Sequence, residues 1–352
     1  EEGLQYLVAW SIYRQLVLLT EPYMFLQGRP AIEVCYKHIM RVMNLAIMSP
    51  FFKSEVPLAA VDQAKIMVSQ IVNAFKNAIR SGSWISSSTR SDAINTLNYL
   101  KPYVGSPGRR LEPGFVEQVY KQYPDAPLDR LFPTWIKALS LSSHDIWIDP
   151  TYPLYNDSEI NAYYSRTENS ITIPTAIMQS PLMYSYGPLA LNYGSLGMII
   201  AHELMHAFDV EGIKRQYWPT KDRQEYTRRA LCLRRSHKSV LSLSRQHDTL
   251  NDILDSENIA DLVGTVIAYA AFAALSPQEK NETLAGLDMS PDQLFFVSHC
   301  VKWCSTYRTS GRRYAPYRSR CLVPLMNMPE FSRAFGCSSG TPMNPPVKCT
   351  FW

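Results

Sequence analysis

The sequence predicts a helix-rich α+β chain, and three observations point there. Apolar residues recur at helical spacing through Val56–Arg80, at Val61, Ile66, Val68, Ile71, Val72 and Phe75, which places them on one face of a 3.6-residue helix. Two short segments rich in β-branched and aromatic residues, Asp145-Ile146-Trp147-Ile148 and Asn161–Ile173, are bounded by turn residues and read as strands. Two apolar stretches without proline, one around His202 and one through Leu262–Leu275, read as buried helices.

Taken in order, residues 1–95 read as helices that close one domain. Pro102, Pro107, Pro113, Pro124, Pro127 and Pro133 break up residues 96–134, which read as a loop-rich linker. A second domain is expected over 135–352. It begins with the two strand segments, followed by the helix around His202, a helix carrying Glu257 and a helix through Gln293–Tyr307. Neither an internal repeat nor a low-complexity tract appears.

The composition suits a folded chain with a sizeable core: 352 residues, 46% of them hydrophobic, allow one large or two medium domains. The net charge of +4 is modest. Arg228, Arg229, Arg234, Arg235 and Lys238 form the most basic stretch and read as a solvated helix face, so no nucleic-acid partner is expected. No glycine-rich nucleotide loop stands out. No apolar run reaches the roughly 18 residues of a membrane span; Leu262–Leu275 is too short, and the N-terminal stretch is broken by Arg14 and Gln15. The chain starts at Glu1 rather than Met and has no signal peptide, so it is expected to be part of a longer product.

The most informative feature is His202-Glu203-Leu204-Met205-His206. On a helix, residues four apart share a face, so both imidazoles can reach one metal ion. Glu203 can reach a water on that metal, the arrangement of zinc peptidases. The run from Leu196 to Asp209 is otherwise apolar, and ionisable groups in such a setting are costly unless paired or metal-bound. A catalytic zinc takes three protein ligands and leaves a position open. Glu257 is the best third ligand, and one Zn²⁺ is expected on His202, His206 and Glu257. Asp261, one turn after Glu257, and Asp209, three residues after His206, can each hold a ligand imidazole through its second nitrogen. Read alone, Glu257 and Asp261 also fit the acidic first turn of an ordinary helix.

Several separate blocks then resemble the neprilysin-type zinc endopeptidases, which include the endothelin-converting enzymes. They run, in the family's order, from Ile160-Asn161-Ala162-Tyr163-Tyr164 through Ile171-Thr172-Ile173-Pro174, Ile177-Met178-Gln179 and Leu191-Asn192-Tyr193-Gly194 to the zinc helix. Glu257–Asp261, Gly286-Leu287-Asp288, Gln293–Phe296, Trp303–Arg308, Met328–Phe331, Ala334-Phe335, Met343–Pro345 and Cys349–Trp352 follow. The match is dense from Asn161 onward and thinner before it. It implies a thermolysin-like (gluzincin) catalytic domain preceded by the end of a helical domain that caps the active site.

The resemblance also implies roles. Asn161 and Ala162 match residues that bind the substrate backbone as an added strand. Ile177, Leu182, Ile199 and Trp303 match the lining of the main specificity pocket, although each alone fits plain core packing. Arg320 matches an arginine that holds the substrate carbonyl, and a guanidinium is a fixed donor fork suited to that task. Asp261 supports catalysis from behind the ligands. Six residues before Arg320 the family usually has a histidine that stabilises the tetrahedral intermediate; here that position is Tyr314, which can donate a hydrogen bond but carries no charge. Loss of such a donor costs roughly 100–1000-fold in turnover. Val210-Glu211 and Leu262-Val263 also depart from the usual residues beside Asp209 and Asp261.

Seven cysteines, an odd number, ask for outside partners. By resemblance, Cys232 pairs with Cys349, while Cys35, Cys304 and Cys337 match cysteines whose partners lie in an N-terminal half that this chain lacks. Cys300 and Cys321 match no family cysteine; a bond between them is one option. Asn156-Asp157-Ser158 and Asn281-Glu282-Thr283 are glycosylation sequons. The family is extracellular, as type II membrane ectodomains or secreted proteins. The expected function is hydrolysis of short peptides on the amino side of large hydrophobic residues, with zinc-activated water and Glu203 as general base. The alternative is a catalytically weak or inactive peptide-binding scaffold, to which Tyr314 points.

Overall fold

A computed structural model describes residues 2–21, 26, 28–106, 109–125, 130–148, 156–241, 250, 253–306 and 313–352. In chain order its elements are α1 (Glu2–Thr20), α2 (Ala31–Glu55), α3 (Leu58–Ser81), α4 (Ser87–Asn98), β1 (Lys101–Val104), α5 (Pro113–Tyr120) and α6 (Leu131–Ile148). There follow β2 (Tyr163–Ser165), β3 (Ser170–Ile173), α7 (Leu189–Asn192), α8 (Met198–Met205), α9 (Val210–Arg215), α10 (Thr220–Leu241) and α11 (Leu254–Ala273). The last are α12 (Pro277–Lys280), α13 (Pro291–Val301), α14 (Tyr317–Met326) and α15 (Pro329–Ala334).

These elements fall into two compact units, residues 1–51 with 109–156, and residues 52–108 with 157–352. The first unit holds α1, most of α2, α5 and α6. The helix α2 is kinked at Met43 and buries Val34, Val42 and Leu45, and His38 meets Trp135 edge-on at 6.1 Å between ring centres.

The second unit is built around α11, which packs most extensively on α8 and also touches α3, α10 and α14. Close approach of α11 to α8 requires Gly264: a β-carbon there would lie 2.8 Å from the backbone nitrogen of His202. Of the apolar face expected over Val56–Arg80, Val61, Val68, Ile71 and Phe75 are buried and Val72 is half-buried, but Ile66 is exposed and Met67 takes its place in the core; α3 packs against α8 and α11. Contacts therefore group α3 and α4 with the histidine helix, whereas the sequence drew 1–95 as one helical body; the apolar face of α3 finds its partner far along the chain.

A three-stranded sheet of order β1-β3-β2 completes this unit. β1 runs parallel to β3, with Lys101 opposite Ser170, and β2 runs antiparallel to β3, with Tyr163 opposite Thr172. The strands expected within Asn161–Ile173 are thus β2 and β3. The central strand β3 is buried throughout, and both β2 and β3 touch α8.

Other expectations need correction. Asp145–Ile148 is the end of α6, not a strand; a short apolar run fits either conformation, and continuity from Leu131 decides it. The stretch 96–134 holds β1, α5 and the start of α6 rather than loop alone. Pro102 is tolerated because β1 is an edge strand, and Pro113 begins α5, where its missing N–H costs nothing. The helix expected through Tyr307 starts with a Ser290–Gln293 capping box and stops at Val301; Tyr307 lies outside the described residues.

Two disulfides form, Cys232–Cys349 between Cα atoms 5.7 Å apart and Cys300–Cys321 at 4.9 Å. The first anchors the C-terminal residues, where Trp352 packs among Phe75, Trp84 and Phe208. Cys35, Cys304 and Cys337 are free thiols. Among the described residues, no helix is long and apolar enough to cross a membrane.

Candidate active site

The site starts from a local irregularity. Tyr193–Gly197 forms a π-helical turn that leads into α8. A π-turn leaves carbonyls off the regular ladder, and Lys302 Nζ donates to Gly194 O at 2.9 Å. Beyond the turn, α8 carries His202 and Glu203, and His206 follows as its C-cap with helical backbone angles. The fourfold spacing brings the two Nε2 atoms to 3.2 Å of each other.

Glu257, in the first turn of α11, completes the group. Its Oε2 lies 3.2 Å from His202 Nε2 and 3.7 Å from His206 Nε2. Ligand atoms on a tetrahedral zinc with bonds near 2.0–2.1 Å stand about 3.3 Å apart, so these three atoms fit that ion. Glu257 Oε2 is buried and has no hydrogen-bond partner, as expected of an atom directed at a cation. Glu203 also brings a carboxylate oxygen within 4.8 Å of the imidazole nitrogens. Two carboxylates, Glu203 and Glu257, thus stand beside the two imidazoles, and Glu257 Oε2 is the one buried with no hydrogen-bond partner.

Each imidazole is backed by a carboxylate. His202 Nδ1 lies 2.9 Å from Asp261 Oδ1, and His206 Nδ1 lies 2.7 Å from Asp209 Oδ2. Asp209 is in turn fixed as the N-cap of α9, accepting from Gly212 N at 2.7 Å. Arg166, in the turn after β2, donates to Asp209 Oδ2 and, at 3.1 Å, to the carbonyl of His206. Arg320 donates to both oxygens of Asp261. Its guanidinium is stacked with Trp303 at 3.9 Å and with Tyr314 at 4.4 Å. On the other side, Arg313 Nε donates to Glu257 Oε1 at 3.0 Å.

These contacts set the charges. Burial alone would discourage a proton on His202, but Asp261 and Glu257 outweigh it and draw its pKa up to about 10; a metal at this position displaces that proton. Burial pushes Glu203 up, against the lowering pull of His206 and His202. For Asp261 burial works upward too, yet Arg320 and His202 hold its carboxyl well below the usual range. Burial keeps the Tyr314 phenol protonated by raising its pKa.

The structure thus gathers His202, Glu203, His206, Asp209, Glu257, Asp261, Trp303, Tyr314 and Arg320 into one cluster. Ile199 is half-buried on α8. Leu182 is also half-buried, and its carbonyl accepts from Leu196 N and Ser195 Oγ at the head of that helix. Ile177 is fully buried. Asn161 is exposed and Ala162 buried, just ahead of the edge strand β2. Sequence reasoning missed Arg166, Arg313 and Lys302; Arg166 and Arg313, and the bond from Lys302 to Gly194, act over long sequence separations that leave no local pattern. Half-buried Lys302 also contacts His299 Nδ1 at 3.0 Å, three residues back in the chain.

Comparison with known proteins shows what the whole chain is similar to. The chain is 29% identical to Neprilysin-1 of Trittame loki over 91% of its own length and 48% of that protein. It is 27% identical to Endothelin-converting enzyme 1 of Homo sapiens, over 92% of the chain and 44% of the relative. The chain therefore spans about half the length of the curated relatives it matches. Among solved structures it resembles the Mycobacterium tuberculosis zinc metalloprotease Zmp1 in complex with inhibitor, with a TM-score of 0.69 and 21% identity over 89% of this chain and 50% of that one. This supports a helix-rich, thermolysin-like fold. Residues 161–351 match the family model described as Peptidase family M13, and residues 9–107 match a second model of the same description. A match over more than half of the chain, joined to the histidine and carboxylate cluster it contains, establishes that the chain belongs to peptidase family M13.

Proposed function

We propose that the protein is a zinc-dependent endopeptidase that hydrolyses short peptides, cutting on the amino side of large hydrophobic residues. The observation that carries this reading is the close set of His202 Nε2, His206 Nε2 and Glu257 Oε2 with Glu203 beside it. Zinc, when bound, supplies Lewis acidity that polarises a peptide carbonyl and makes water more acidic. Glu203, a buried carboxylate with a raised pKa, takes the proton from the attacking water and passes it to the leaving amine. Asp261 and Asp209 hold the two imidazoles in orientation. Arg320 receives the substrate carbonyl along the guanidinium edge that its pair with Asp261 does not use, and Tyr314 adds a phenolic donor. A substrate strand lies along the edge strand β2, clamped by Asn161 and Ala162. Ile177, Leu182, Ile199 and Trp303 form the apolar pocket.

Two disulfides favour an oxidising compartment, so the protein is read as extracellular, as a type II ectodomain or secreted. The free Cys35, Cys304 and Cys337 are read as bonding to an N-terminal portion of the whole protein. A second reading, a weakly active peptide-binding homologue, is favoured by the uncharged Tyr314 and by the two-point engagement of Arg320 with Asp261.

One experiment separates the readings: hydrolysis of a quenched fluorescent peptide with a central Phe, by zinc-loaded protein and by Glu203→Gln. Chelator-sensitive cleavage that is lost in the variant while zinc stays bound supports the peptidase. Cleavage retained by the variant sinks the role of Glu203, and absence of cleavage by the zinc-loaded wild type favours the binding role.

A further inference from the structure

We propose that Arg313 is a further catalytic residue, the guanidinium that meets the scissile carbonyl oxygen as it gains negative charge. The inference rests on the peptidase reading and adds a third donor, an exposed cation, to Arg320 and Tyr314.

Among the described residues, three arginines touch Glu257 or the carboxylates behind the imidazoles, and their exposure divides them. The side chain of Arg166 is 23% exposed, that of Arg320 is 8% and that of Arg313 is 67%. Arg166 supports the back of His206, binding its carbonyl and Asp209. Arg320 is held by both oxygens of Asp261 and packed between the rings of Trp303 and Tyr314. A guanidinium fixed on that many sides can support the site but has little freedom to follow a moving charge. Tyr314 is itself held with its ring on Arg320 and brings no charge.

Arg313 stands on the open side. Its Nε donates to Glu257 Oε1, while the other oxygen of that carboxylate faces the two imidazoles. One carboxylate therefore separates the guanidinium from the three donor atoms. The contact uses one of the five N–H groups of an arginine side chain and anchors the planar fork beside the place where chemistry occurs. The ion pair with Glu257, at 3.0 Å, holds this cation beside the donor atoms before substrate arrives. A fixed cation aimed at developing charge is the arrangement that lowers such barriers most.

In the step proposed, the water oxygen bonds to the carbonyl carbon and its proton passes to Glu203. The carbonyl π pair moves onto the oxygen, where Arg313 meets it. When the C–N bond breaks, that pair re-forms the carbonyl and the proton goes from Glu203 to the departing amine. Nothing beyond water and peptide is consumed.

The test uses zinc-loaded protein carrying Arg313→Gln or Arg313→Lys. The probes are the central-Phe peptide and a phosphinic peptide, whose tetrahedral anion replaces the scissile amide. Zinc affinity is followed by chelator competition. The proposal expects Arg313→Gln to lower kcat roughly 100-fold with KM within about threefold. Affinity for the phosphinic peptide should fall in parallel, zinc affinity should hold, and Arg313→Lys should recover part of the loss. A residue that only props Glu257 would show the opposite split, with zinc affinity lost and kcat preserved at saturating zinc; that result overturns the proposal. If wild type cleaves nothing, the peptidase reading fails by itself. The phosphinic peptide still decides Arg313 in that case, because equal affinity in wild type and Arg313→Gln overturns the proposal.

Discussion

Arg320 meets Asp261 through two hydrogen bonds, Nε to Oδ2 at 2.7 Å and Nη2 to Oδ1 at 2.8 Å. The same Oδ1 lies 2.9 Å from His202 Nδ1. One buried carboxylate thus links an arginine on α14 to a histidine on α8, across α11. Charge and geometry at the ligand set depend on that link, because the arginine keeps Asp261 ionised and the ionised Asp261 orients His202.

The link predicts the behaviour of Asp261→Asn. The amide cannot hold a negative charge, so buried Arg320 loses its counter-charge, and breaking such a pair costs about 3 kcal/mol. Zinc affinity should fall by roughly 10–100-fold, as for other losses behind a metal ligand. Chelator competition and urea unfolding measure the two effects; a variant with wild-type zinc affinity would show that His202 needs no such support.

Packing of the zinc-motif helix predicts a second effect. In Gly264→Ala the new methyl would meet His202 N at 2.8 Å and His202 Cα at 3.0 Å. Backbone on a helix cannot swing aside as a side chain can, so α8 and α11 must separate. Overpacking of this kind costs about 1–3 kcal/mol. Because Glu257 and His202 sit on the two separating helices, zinc affinity should fall together with the melting temperature. A drop in melting temperature alone would mean that the helices slide without opening the site.

Acid sensitivity should trace partly to Asp222, away from the site. This buried carboxylate accepts from Ser86 N, Ser86 Oγ and Thr89 Oγ1 at the start of α4. Burial would raise its pKa, but the bonds from Thr89 and Ser86 prevail and hold it below the usual aspartate value. A depressed folded pKa means that the contribution is complete above the unfolded value and disappears as pH falls through the folded one. Urea midpoints should therefore decline below about pH 4 in wild type. Asp222→Asn should be about 2 kcal/mol less stable at pH 6 and show a shallower decline in that window. Parallel curves for the two proteins would remove Asp222 from the acid response.

Much of the site was legible because it is local. His202 and His206 share a helix face by spacing alone, and the acidic turn at Glu257 and Asp261 stands at the head of an apolar helix. That Asn161–Ile173 holds strands followed from its β-branched and aromatic residues and its turn residues; their antiparallel pairing as β2 and β3 did not. Asp145–Ile148 was misread because a four-residue segment with three apolar residues carries too little periodicity to separate helix from strand. Strand β1 was hidden by prolines that only an edge position accommodates, and whether a strand is an edge is decided by its neighbours.

By itself, the sequence determined that His202 and His206 share one helix face with Glu203 beside them, because a spacing of four residues maps onto one helical face whatever surrounds it. Tertiary structure alone decided that Oε2 of Glu257 faces both imidazoles, that Arg320 lies between Trp303 and Tyr314, that Arg313 remains open beside Glu257, and that α3 packs with the zinc-motif helix. Those arrangements join residues from distant parts of the chain. Their positions are fixed by burial of apolar faces and pairing of buried charges, and neither leaves a periodic trace along the sequence.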